Sequence, residues 1–99
     1  MLAKILHSIL TDDLDHCMMT GSNVVERHHV FGGAFKAKSE YYGFIAPLRP
    51  DLHPNGVHFQ DTKENKKIDK YLKRMCQRYY EKHCGTRDQF RNEFGRNYL

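Results

Sequence analysis

A single α+β domain is the fold this chain predicts, and three observations carry the expectation. Two short runs, one around Val24 and Val25 and one over residues 44–48 (FIAPL), have strand-forming composition and are bounded by turn residues. From about residue 62 the apolar positions switch to three- and four-residue steps, the spacing of an amphipathic helix. The 99 residues are 39% hydrophobic and 28% charged, which allows one small core and is globular rather than disordered. The expected organisation is one domain over 1–99: an N-terminal helical segment (1–14), a two-strand motif (15–62), then basic and C-terminal helices (63–99).

Leu2, Ile5, Leu6, Ile9 and Leu10 recur at helical spacing and predict a short packing or dimerising helix, ended by the acids of TDDLDH. Asp12, Asp13 and Asp15 lack the spacing of a calcium loop and read as solvated acids near a turn. Gly21, Ser22 and Asn23 are turn chemistry, and a first strand follows from Val24 to the pair His28–His29. Residues 34–43 (AFKAKSEYYG) read as a polar and aromatic connection. Pro47 marks the second strand's end or an exposed edge, and the following RPDLHPNGVHF is dense in turn residues.

In the long helix, Ile68, Tyr71, Leu72, Met75, Cys76 and Tyr79 form the apolar stripe. Lys66, Lys67, Lys70, Lys73, Arg74 and Arg78 fill the other positions, and Gly85 stops the helix. Thr86, with Gln89 three residues on, opens a last helix with a capping-box pattern. Phe90, Phe94, Tyr98 and Leu99 are expected to complete the core, a homodimer seam being their alternative use.

The formal net charge of +4 and a pI near 9.0 favour a polyanionic partner such as DNA. Cys17, Cys76 and Cys84 are an odd set without a regular framework, which argues against a disulfide scaffold and for a reducing cytoplasm. MLAKILHSIL is too short to span a bilayer and is followed by no small-residue cleavage site. No membrane partner is expected.

Of seven histidines, four are placed to converge. His28 and His29 end the first strand; His53 and His58, five positions apart, follow the second. A hairpin with about ten to fifteen connecting residues brings the two groups together. Three imidazoles around one divalent cation, with a fourth left free, make a hydrolytic arrangement in which the free ring takes a proton from water. An ordinary imidazole pKa of about 6.5 suits that task. Neighbouring strand residues point to opposite faces, so a bend or bulge is expected to bring both members of the pair to one site. His7, His16 and His83 lack placed partners and read as ordinary surface or core histidines.

The runs CMMTGSNVVERHHVFGG, YYGFIAPLRPDLHPNGVHF and FRNEFGRNYL together resemble the small HNH (ββα-metal, His-Me finger) endonucleases encoded by phages and prophages, over roughly residues 15–99. The resemblance implies a ββα-metal hairpin-plus-helix core with an N-terminal helix and C-terminal helices, hydrolysing DNA phosphodiester bonds in a bacterial cytoplasm. It implies His29 as the general base and His28, His53 and His58 as ligands of one divalent metal, which stabilises charge on the phosphate and the leaving 3′ oxygen. Zinc or nickel suits imidazole; magnesium or manganese are the other candidates.

Three departures from the family pattern add expectations. Thr20 stands where Cys17 would have its zinc-binding partner, and Arg49 and Leu52 stand at the second pair of ligand positions. No structural zinc is therefore expected, and packing against the N-terminal segment and long helix should hold the hairpin. The family asparagine is missing around Tyr42, Gly43 and Phe44, so a backbone carbonyl is expected to orient His29. HPNGVH places His58 after a loop rather than on one continuous helix with His53. The alternative function is a catalytically weak HNH-fold factor that engages DNA or a protein partner such as a recombinase or host defence effector.

Arg27 and Arg49 flank the histidines in sequence, and Lys36 and Lys38 lie in the connection; these four are the candidate DNA-binding residues. The cations of the long helix read mostly as a solvated face. At least one of Tyr41 and Tyr42 is expected in the core.

Overall fold

The computed structural model describes residues 6–99. Strand β1 (Glu26–His29) pairs antiparallel with β2 (Ile45–Leu48). Among the described residues three α-helices accompany this two-stranded sheet: α1 (Lys36–Tyr42), α2 (Lys63–His83) and α3 (Arg87–Phe94). The architecture is α+β and compatible with a ββα core.

The histidine pair lies inside a regular ladder. His28 stands opposite Ala46 and His29 opposite Ile45, and the Val30 N–H continues the pairing by donating to the Phe44 carbonyl at 2.9 Å. The expected bend or bulge is not there, because the strand starts at Glu26, beyond the two valines, and Val24 is 61% exposed. The pair therefore keeps the alternation of extended backbone and sends its two rings to different neighbours.

The connection between the strands is mostly helix. A 3-10 turn over Gly33–Phe35 leads into α1, which Gly43 caps in the left-handed conformation at φ 78°. Ala, Lys and Glu favour helix, and a terminal Gly gives the stop. Ser39 pins this helix to the sheet: its hydroxyl donates to the Phe31 carbonyl at 2.7 Å and accepts from the Phe31 N–H at 3.1 Å.

Residues 6–14 form no helix, and residues 1–5 of the expected N-terminal helix lie outside the described residues. The outward carbonyls of the β2 edge supply a better use for this segment's polar groups. Ile9 N–H donates to Gly43 at 2.9 Å, the Ser8 hydroxyl to Ile45 at 2.6 Å, and Met18 N–H to Pro47 at 3.0 Å. A helix this short is marginal in water, whereas pairing along an edge satisfies backbone groups that would otherwise be buried. Pro47 does sit at a strand edge, where its missing N–H faces away from β1, but the N-terminal segment covers that edge and the residue is fully buried.

The core joins Phe31, Phe44, Leu48, Leu72, Cys76, Tyr80, Phe90 and Phe94. Phe31 and Phe94 approach to 4.6 Å between ring centroids. Thr86 and Gln89 form the reciprocal capping box that opens α3. Tyr42 packs on Phe44, and its hydroxyl and that of Tyr80 both donate to Glu93 Oε2 at 2.6 Å; Tyr41 is 77% exposed. The chain end folds back over α2, where Tyr98 N–H donates to Gln77 Oε1 at 2.7 Å. No helix among the described residues is long and apolar enough to cross a membrane.

Candidate histidine site

Extended alternation places Glu26 and His28 on one face of β1. The turn after β2 brings His53 to the same place. Its Nδ1 lies 2.7 Å from Glu26 Oε1, and its ring meets His28 edge-on at 4.8 Å between centroids. The 3-10 turn over Pro50–Leu52, the buried Leu52 and a Gly56 N–H bond to the His53 carbonyl at 3.0 Å fix this loop. Because a carboxylate only accepts, the Glu26 contact puts a proton on Nδ1 of His53 and leaves Nε2 with its lone pair.

His28 is 7% exposed, and its Nε2 has no hydrogen-bond partner among the described residues. Burial, and after it repulsion from His53 when protonated, from Lys73 and from His29 when protonated, pushes its pKa down to about 3, so the ring is neutral at ordinary pH. Asp69 on α2 brings Oδ1 to 4.0 Å from His28 Nε2, while its other oxygen accepts from Lys73 Nζ at 2.7 Å.

His29 takes a different neighbour. Its Nε2 lies 3.0 Å from Oε1 of Glu40 on α1, and both side chains are largely shielded. A carboxylate, where a backbone carbonyl was expected, orients this ring. His28, His29 and His53 nevertheless share one groove of about 370 Å³, with Arg27 and Lys36 also on its walls.

His58 is not brought to this cluster. It lies exposed in the turns before α2, with no hydrogen-bond, ion-pair or ring partner among the described residues. No group of three or more His, Cys, Asp or Glu side chains is arranged to hold a metal ion among the described residues. The pair His28–His53, with the Asp69 carboxylate beside it, is what the fold assembles. Of the remaining histidines, His16 contacts Asp13 through Nδ1 at 2.7 Å and His83 packs on Tyr79 at 4.6 Å.

The candidate phosphate contacts divide. Arg27 and Lys36 line the groove, Arg27 also reaching the exposed Asp15 at 3.2 Å. Arg49 is engaged by both oxygens of Asp51, and Lys38 donates to the Glu93 carbonyl at 2.8 Å, tying α1 to α3. The positions compared above with a zinc site are occupied by protein contacts. Burial raises the pKa of the Cys17 thiol, but the Thr20 hydroxyl and the backbone N–H groups of Arg49, Met19 and Thr20 outweigh it and leave the thiol below its ordinary value.

Sequence reasoning missed Glu26, Glu40 and Asp69. Glu26 was findable, since it lies two residues before His28 and shares its strand face. Glu40 becomes visible once residues 36–42 are read as a helix ended by Gly43. Asp69 lies three and seven residues before Leu72 and Cys76, on the buried side of the long helix. Comparison of the chain with family models, with curated proteins and with solved structures found no match.

Proposed function

We propose that the chain is a metal-dependent HNH endonuclease that hydrolyses DNA phosphodiester bonds, encoded by a phage or prophage and acting in the bacterial cytoplasm. One observation carries the reading: a buried, neutral, unpartnered imidazole nitrogen on His28 stands beside His53, in the groove that also holds His29. Buried polar atoms are rarely left unpaired, and a nitrogen in this state has the chemistry of a ligand.

His28 and His53 would hold one divalent ion, with the Asp69 carboxylate, 4.0 Å from His28 Nε2, beside them, and zinc, nickel, manganese or magnesium are the candidates. When bound, the ion supplies positive charge to the scissile phosphate and the leaving 3′ oxygen. His29 accepts a proton from water; the hydroxide oxygen bonds to phosphorus, the bond to the 3′ oxygen breaks, and that oxygen is protonated from solvent. Arg27 and Lys36, on the groove wall, contact the flanking phosphates, whereas Arg49 and Lys38 keep their protein partners.

The separation of His58 from the other three histidines favours a second reading, a DNA- or protein-binding factor of the same fold with weak catalysis. A plasmid-cleavage assay of the wild type and His29→Ala across magnesium, manganese, nickel and zinc separates the two. Cleavage by the wild type and its loss in the variant support the endonuclease. A folded wild type that retains DNA without cutting it under any of the four ions rejects it.

A further inference from the structure

We propose that Glu40 is a positioning residue for His29: its carboxylate keeps the proton on Nε2, so that Nδ1 is the nitrogen that accepts the proton from water. Nε2 and Oε1 are 3.0 Å apart, and the two side chains are only 16% and 18% exposed.

The helix that carries Glu40 is fixed on both sides of it. Lys38 donates to Glu93 at 2.8 Å, Ser39 holds both the N–H and the carbonyl of Phe31, and Tyr42 donates to Glu93 at 2.6 Å. Phe31 is two residues beyond His29 on the same chain. The Ser39 clamp therefore sets the distance between β1 and α1 at the point where the imidazole and carboxylate meet. A surface carboxylate on a mobile arm would lose conformational entropy to make such a contact; here the backbone on either side has already been ordered.

An ionised carboxylate has no proton to donate, so a neutral His29 must present N–H at Nε2 and a lone pair at Nδ1. The hydrogen bond that the His29 ring makes among the described residues is the one at Nε2. After Nδ1 takes a proton the ring is an imidazolium, and the same carboxylate then stabilises its charge. A backbone carbonyl would set the tautomer but lacks the full negative charge. The catalytic meaning of this arrangement rests on the endonuclease reading; the tautomer itself does not.

Two measurements separate the two claims. Long-range proton–nitrogen correlation spectra of metal-free, histidine-labelled protein at about pH 8, where an ordinary imidazole is neutral, report which nitrogen of His29 carries hydrogen. The ring is assigned by comparison with His29→Asn. The wild type is expected to show the Nε2–H form, and Glu40→Gln, whose amide can also donate, to show a shift toward the Nδ1–H form. In plasmid cleavage, Glu40→Gln is expected to lose about 100- to 10,000-fold in turnover with little change in KM, and Glu40→Asp, which keeps the charge, to lose less. A wild-type ring with hydrogen on Nδ1 overturns the proposal whether or not the protein cuts DNA. So does an unchanged turnover in Glu40→Gln alongside a cleaving wild type. A wild type that shows the Nε2–H form, shifted in Glu40→Gln, but does not cleave supports the positioning contact and counts against the endonuclease reading alone.

Discussion

Glu26 and His53, distant in sequence, meet across the hairpin at 2.7 Å between Oε1 and Nδ1. A carboxylate behind an imidazole fixes the ring's tautomer and its aim, and raises the basicity of the opposite nitrogen. Replacing Glu26 with Gln keeps the size of the side chain but lets its amide donate as well as accept. The expected outcome is a fall of about 10- to 100-fold in affinity for nickel or zinc, read by calorimetric titration of the metal-free protein. His53→Ala should remove binding altogether. Equal affinities in wild type and Glu26→Gln would show that His53 does not use Nε2 as a ligand.

Gly43 makes a conformational demand that Gly21 shares only in part. Both have φ near +80°, at 78° and 79°, but a Cβ at Gly43 would meet the His7 ring at 2.7 Å and Ile9 at 3.3 Å, whereas a Cβ at Gly21 meets nothing within 4 Å. The left-handed conformation costs an alanine about 1–2 kcal/mol at either position. Gly43→Ala should therefore destabilise more than Gly21→Ala in urea unfolding, because the neighbouring segment along the β2 edge must also move. Equal losses would mean that this segment yields freely.

The second strand, the long amphipathic helix and the capped last helix were legible because each has a local cause: strand-forming composition, apolar spacing, or a Thr–Gln capping pair. The first strand was legible only as a region, since it begins at Glu26, beyond the two valines that pointed to it. The N-terminal segment was not. Its apolar spacing fits a helix, and only the row of outward carbonyls on β2, a tertiary feature, shows why Ser8 and Ile9 extend instead. The α1 helix was not legible for a different reason: seven residues with Ser39 as the buried one carry no apolar helical period. At the site, the histidines could be singled out by residue type. Two of the neighbouring carboxylates could not, since Glu40 and Asp69 come beside His29 and His28 only through the packing of two helices on one hairpin.

Glu93 Oε2 accepts hydrogen bonds from both Tyr42 and Tyr80, each at 2.6 Å. Burial, then the Glu93 contact, raises both phenols: Tyr80 to about 12, and Tyr42 further. An unfolded tyrosine ionises near a pKa of about 10. Above that pH the folded chain holds protons that the unfolded chain has lost, so stability falls as pH rises. The contribution is fully present below about pH 10 and is lost progressively toward and beyond pH 12. In an absorbance titration, two of the six tyrosines should resist ionisation until the protein unfolds. Glu93→Gln should bring their titration to lower pH, and six phenols ionising together in a folded wild type would contradict the assignment.

Lys67, Lys70, Arg74 and Arg78 surround the half-exposed Tyr71 on the outer face of α2, and none has an ion-pair partner among the described residues. Lys66 and Lys73, on the same helix, are paired with Asp61 at 3.3 Å and Asp69 at 2.7 Å. Unpaired cations release counterions when they meet phosphate, so the logarithm of affinity falls with the logarithm of salt by about 0.9 per phosphate neutralised on duplex DNA. If duplex contacts this face, replacing Lys67, Lys70 and Arg78 together with Gln should lower the steepness of that dependence by up to about 2.7, shared across unrelated sequences. Arg74 is left in place because its Nε is buried without a partner, and its removal would also disturb packing. Lys66→Gln, which removes a cation already neutralised by Asp61, should change the slope little. Binding isotherms over a salt series give the comparison directly. A triple variant with the wild-type slope would return this helix face to solvent and leave Arg27 and Lys36, at the groove, to hold the DNA.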